Sequence, residues 1–112
     1  MTVDGVTVNE DNTEEASQGI QRAIDRALEE IGLAAEGYAK RACPVVTSNL
    51  RDSITHVVEG SEDAVYVGTD VEYAPYVEMG TSRMAAQPFL RPAATEHDRA
   101  YRSILRRNLE DG

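Results

Sequence analysis

Residues 12–43 read NTEEASQGIQRAIDRALEEIGLAAEGYAKRAC, and the spacing of their apolar side chains decides the fold. Ala16, Ile20, Ala23, Ile24, Ala27, Leu28, Ile31, Ala35, Tyr38 and Ala42 recur mostly at steps of three and four. That spacing lines them up as one stripe on a single helical face. Asn12 is placed to cap the first turn, and Glu15, three residues later, completes a capping box. Pro44 ends the helix, because its ring disfavours the helical region for the preceding Cys43. Gly32 and Gly37 each cost about 1 kcal/mol relative to alanine in a helix interior, so they mark a bend or a close packing contact. The first element is one long amphipathic helix. Everything after it must cover its stripe.

The remaining elements are short and mixed. After CPVV, residues 43–46, Thr47 or Ser48 caps a single helical turn that holds Leu50. Ile54 opens a β-like run, the polar GSED at 60–63 turns the chain, and Val65 and Val67 then alternate with Tyr66. A period of two is that of a strand with one buried face, so the two runs predict an antiparallel hairpin. YAPYVEM, residues 73–79, reads as a short helix with Gly80 suited to the left-handed position behind it. TSRMAAQPFLRP, residues 81–92, holds two prolines and reads as an extended arm. From Pro92, a natural first-turn residue, the spacing of Ala93, His97, Ala100 or Tyr101, Ile104, Leu105, Asn108 and Leu109 is helical again. Helix, hairpin, short helix, arm and helix make an α+β fold. Residues 13–112 form its single domain, preceded at 1–12 by a flexible arm or short strand with Val3, Val6 and Val8 as its apolar anchors.

A chain of 112 residues is of single-domain length. A domain of that size buries roughly 65% of its unfolded surface, which allows one modest core. With one Phe, five Tyr and no Trp, that core is mainly aliphatic. The net charge of −9 is unevenly spread. Residues 1–37 carry nine acids against Arg22 and Arg26, whereas residues 81–112 carry six arginines against four acids. An acidic front and an arginine-rich back let copies attract one another, or seat the chain on a differently charged partner. Free nucleic acid is disfavoured as the main ligand, since phosphate backbones are met by clustered cations. Cys43 stands alone, so no intrachain disulfide can form. No basic segment followed by an apolar run opens the sequence, and no run approaches the ~18 apolar residues of a membrane span. The expectation is a soluble chain made in a reducing cytoplasm, without a signal peptide or membrane.

Catalytic chemistry is hard to find. Cys43 with His56 is the only nucleophile–base pair to consider, and no oxyanion-loop signature accompanies it. A lone cysteine ending an apolar helix is more often a small buried hydrophobe. His56 and His97 lie far apart in sequence, and Asp70-Val71-Glu72 is an isolated acidic pair, so no metal or cofactor is expected. Gly60, Gly68 and Gly80 form no phosphate-binding loop. Arg99, Arg102, Arg106 and Arg107 recur at helical spacing and suit either local pairs with Glu96 and Asp98 or an acidic neighbour. The reading is not an enzyme.

CPVVTSNLRDSI at 43–54 and VYVGTDVEYAPYVEMGTSRMAAQPFLRPA at 65–93 together resemble the neck, or head–tail joining, proteins of long-tailed bacteriophages, a tail-component family. Pro44, Thr47, Asn49, Leu50, Arg51, Ser53 and Ile54 match its first block. Tyr73, Ala74, Val77, Glu78, Gly80 and Thr81 match the second, and Pro88, Phe89, Leu90, Pro92 and Ala93 the third. Val46 stands where the family usually has Asp, and Ser48 where it has Gly, which alters the turn before Leu50.

The resemblance implies a structural morphogenesis protein at the head–tail junction, a neck or tail-completion ring subunit joining the portal or connector to the tail. It implies a homo-oligomeric ring, a hexamer rather than a dodecamer, with connector-side and tail-side partners and genome DNA only as passing cargo. The protein is then expected in the virion, and in host cytoplasm during assembly. On this reading the 81–92 arm reaches a neighbour and buries Phe89 and Leu90 there, with Glu78, Thr81 and Arg83 at its base. Arg91, Arg99, Arg102 and Arg106 complete the expected partner surface. The opposite expectation for Phe89 is an ordinary core residue. The alternative function is an acidic, non-enzymatic binding or regulatory module such as a small antitoxin-like dimer.

Overall fold

The computed structural model describes residues 2–3, 6–7, 10–44 and 48–111, with side chains from Glu14 onward apart from Ser48. Two short strands, β1 (Thr2–Val3) and β2 (Val6–Thr7), pair antiparallel, while Val8 lies outside the described residues. Helix α1 runs Glu10–Ala42, about 50 Å at 1.5 Å per residue. It starts ahead of the expected cap, so Asn12 sits in its first turn rather than before it. Helix α2 (Ser48–Ser53) is the expected single turn holding Leu50; Thr47 lies outside the described residues.

Strands β3 (Thr55–Glu59) and β4 (Ala64–Gly68) form the antiparallel hairpin, with Val57 opposite Tyr66. A 3-10 turn at Gly60–Glu62 joins them, closed by Asp63 in the left-handed region at φ 50°. Helices α3 (Ala74–Met79), α4 (Leu90–Thr95) and α5 (Asp98–Asp111) complete an α+β architecture.

The helix expected from Pro92 is in fact two, α4 and α5, with the break at Glu96 and His97. Two side chains, one at the break and one just after it, hold it in place. The His97 ring stacks on Tyr38 of α1, centroids 3.5 Å apart and planes 3° from parallel. The Tyr101 hydroxyl donates back to the Ala93 carbonyl and ties α5 to α4. The chain thereby turns so that α5 runs back along α1, where Arg107 and Asn108 both reach the Glu30 carboxylate.

The core sits at the C-terminal half of α1. Ala39 and Cys43 pack with Leu50 and Ile54, Ala74, Phe89 and Ala93, flanked by Tyr38, Val67, Val71, Val77 and Leu90. Earlier in α1, Ala23, Ala27, Leu28 and Ala35 are also buried. The covered stripe is most of the one the spacing picks out, and it differs at the two ends. Ala39 and Cys43 are inside, whereas Ala16, Ile20 and Ala42 are exposed. The radius of gyration is 19.5 Å and the extents are 72 × 23 × 22 Å. A compact domain of this length would have a radius of about 13 Å. The long helix outruns the elements that cover it, so part of its stripe has no partner among the described residues.

Gly32 lies where the hairpin crosses α1. A Cβ there would come 2.2 Å from His56 Cδ2, so the glycine marks a close contact and not a bend. Gly37 is different: a Cβ at that position would meet only the Arg41 side chain, at 3.5 Å.

Candidate functional site

The segment 73–94 is where the expected partner residues gather, and its backbone explains the residue types. Gly80 has φ 79° and ψ 173°, and its N–H bonds the Tyr76 carbonyl to close α3. Thr81 and Met84 exchange backbone hydrogen bonds, and the Gln87 N–H returns to the Val77 carbonyl at 2.8 Å. The Thr81 hydroxyl accepts from the Arg83 N–H. Residues 81–88 are all exposed. They form a solvent-facing loop pinned at both ends.

Glu78 holds the far end of that loop. One carboxylate oxygen accepts from the N–H groups of Phe89 and Leu90, at 3.1 and 2.8 Å, and the other from Arg91 at 3.2 Å. These are the otherwise unpaired donors where α4 begins. Glu78 therefore works inside its own chain, joining the second sequence block to the third. Glu78→Ala should cost about 1–3 kcal/mol by leaving backbone donors unpaired. Glu78→Gln, which keeps an acceptor oxygen, should lose less. Chemical denaturation of the two variants beside the parent measures the difference.

Phe89 is 0% exposed, packed in the core of its own chain. The expected anchor on a neighbour is corrected to the core alternative, since a fully covered side chain has no surface left to bury. Leu90 is half-buried against that core, and the Arg91 side chain is exposed. Arg99, Arg102 and Arg106 gather on the outer side of α5, around a polar recess shared with Thr95, Glu96 and Ser103. Arg102 pairs with Asp98 at 3.0 Å. Arg107 reaches across to Glu30 instead of pairing locally. The structure thus brings Glu78 to the backbone of 89–91 and groups the α5 arginines, as two separate sets.

Two exposed side chains escape a reading of the sequence. Tyr76 and Met79 on α3 are 59% and 80% exposed. Their three-residue spacing is visible in line, but a six-residue helix does not reveal which side faces the core. The first block also has an internal role. The Ser53 hydroxyl bonds the Leu50 carbonyl and Thr69 Oγ1, and Thr69 in turn accepts from the Val71 N–H.

His56 and Cys43 serve different neighbours. Burial pushes the Cys43 thiol up, with Arg51 opposing weakly, and its sulfur faces the Pro44 carbonyl. A catalytic cysteine needs the thiolate, which burial disfavours. His56 Nε2 lies 2.8 Å from Glu29 and Nδ1 3.3 Å from Glu36, which also meets Lys40 at 3.8 Å. Burial of the ring draws its pKa down, but hydrogen bonds and charge from Glu29 and Glu36 outweigh this and raise it above 6.5.

A histidine whose folded pKa is raised stabilises the fold fully below its unfolded pKa, and that stabilisation is lost as pH rises through the folded value. The melting temperature of the parent relative to His56→Gln should therefore be highest at about pH 6 and fall toward about pH 8, across the ordinary histidine range. Thermal melts of both proteins over that interval check it.

The family relationship agrees with this geometry. Residues 10–80 match the family model described as "Bacteriophage HK97-gp10, putative tail-component". The match covers α1, the hairpin and the second block through Gly80, and the chain belongs to this family. Its role is that of a bacteriophage structural protein, a tail component found in the virion among other phage structural proteins. The Pro88–Ala93 block lies beyond the matched residues. No curated protein and no solved structure matches the chain. Among the described residues no helix is long and apolar enough to cross a membrane.

Proposed function

We propose that this tail component is a non-enzymatic subunit of a ring at the head–tail junction, a neck or tail-completion protein seated between the portal or connector and the tail. Its single α+β domain spans residues 13–112. The observation that carries this reading is the elongated body, 72 Å long with a radius of 19.5 Å, which leaves apolar helix surface uncovered by the described residues. Ile20, 55% exposed, lies on the same stripe that forms the core farther along α1. A neighbouring subunit supplies the missing cover, and a closed ring supplies it to every copy equally.

Charge supports the same reading. The acidic first third faces away from DNA or repels it, letting the genome pass, while the arginines of 81–112 meet acids on adjoining subunits. Thr81, Arg83, Leu90, Arg91, Arg99, Arg102 and Arg106 are the partner-facing set, with a hexamer as the ring. The connector lies on one side and tail proteins on the other.

Mass spectrometry of purified tailed particles tests this. Peptides of this chain at about six copies per particle are the expected result. Absence from intact particles overturns the ring.

A further inference from the structure

We propose that copies of this chain join head to tail by a knob-and-groove contact, in which Tyr76 and Met79 of one copy enter the apolar groove between α1, β4, α4 and α5 of the next. This contact rests on the ring reading and supplies the surfaces that would close it.

The knob is built to stay exposed. Tyr76 and Met79 stand three residues apart on α3, and Met84 lies in the turn just behind them, 37% exposed. Methionine adapts its shape to an irregular recess, and tyrosine offers a large rigid face. The backbone beneath is fixed by the Gln87–Val77 hydrogen bond and by the Glu78 carboxylate. A patch of large apolar side chains on a braced support is a contact surface.

The groove has a volume of about 470 Å³, and Leu28, Ile31, Val67, Leu90, Ala94 and Tyr101 are among the residues that wall it. That is within the range of pockets that enclose a drug-sized ligand, so two large side chains fit. Arg91 stands on its wall with no side-chain partner among the described residues. Beside the knob, Asp70 and Glu72 border the recess that Met79 lines, and neither carboxylate has an ion-pair partner among the described residues. An unpaired acidic pair next to the knob and an unpaired arginine beside the groove are complementary when one copy meets another.

One copy cannot satisfy both surfaces itself, because Met79 is 80% exposed in the folded chain. The two recesses share only Leu90. A contact between different surfaces of identical subunits is heterologous, and it propagates until a ring closes or a filament grows.

Sedimentation velocity on the full chain tests the contact with two variants, Met79→Glu in the knob and Ala94→Glu in the groove. Both positions are exposed, and unchanged circular dichroism and melting temperature confirm that each variant folds. The parent should sediment as a higher oligomer and each variant alone as a monomer. An equimolar mixture should give a dimer and nothing larger, since one intact knob meets one intact groove. Assembly of either variant like the parent overturns the proposal, as does a mixture that stays monomeric. A parent that is monomeric at its highest soluble concentration also overturns it, whereas the ring reading is judged separately by the protein's presence in particles.

Discussion

Phe89→Ala should remove about 3–5 kcal/mol of stability, the usual cost of truncating a buried phenylalanine. Phe89 is the only phenylalanine in the sequence, and it is fully enclosed among Leu50, Ile54, Ala74 and Ala93. Three of the six buried residues clustered with it are alanines, which cannot expand to fill a phenyl-sized void. A domain of this length has about 5–15 kcal/mol in total, so the variant should lie near the edge of folding. Thermal melting followed by circular dichroism should show a drop of about 12 °C or more, at roughly 4 °C per kcal/mol. Met79→Ser is the comparison. It removes an exposed side chain and should leave stability within about 0.5 kcal/mol. A Phe89→Ala variant that melts like the parent but fails to assemble would return this residue to the neighbour's surface.

Gly80→Ala should cost about 3 kcal/mol through the backbone alone. At φ 79° and ψ 173° the residue occupies a region that is essentially confined to glycine, with strain of order 1–3 kcal/mol for any other residue. Space is refused as well. A Cβ would sit 2.6 Å from the Ala86 nitrogen and 2.9 Å from the Met84 carbonyl oxygen, both backbone atoms that cannot swing aside. The loop would have to open, losing the Thr81–Met84 pair and pulling Gln87 from Val77. Denaturant unfolding gives the size of the effect. Gly60→Ala is the control, since a Cβ there meets nothing within 4 Å. Equal losses at the two glycines would show that the loop geometry is not what Gly80 secures.

The three resembling sequence blocks look like a surface motif when read in line, and in space each supplies residues to the core. Leu50 and Ile54 come from the first, Ala74 and Val77 from the second, Phe89 and Ala93 from the third, and they form one core. Glu78 ties the second block to the third through backbone N–H groups, and Ser53 ties the first to Thr69 just ahead of the second. Residues left for contact lie at the unmatched positions of the second block, in the loop that follows it and on α5. Tyr76, Met79 and the loop 81–88 are exposed, and so are the outer arginines of α5. That is why a reading of partner residues from the blocks selects Phe89 and Glu78, whose work is within the chain.

The long helix, the hairpin and their order are legible in the residues alone, because a period of 3.6 or two and a proline stop are local properties. The family is legible too, through residues spaced along one chain. Packing in three dimensions settles which part of the α1 stripe is covered, that Phe89 turns inward, and that His56 crosses Gly32 between Glu29 and Glu36. Those outcomes depend on contacts between residues twenty or more positions apart, as His56 is from Glu36 and from Glu29. Local spacing decides which side chains share a helix face, but the partner that buries the face is set by how distant elements pack.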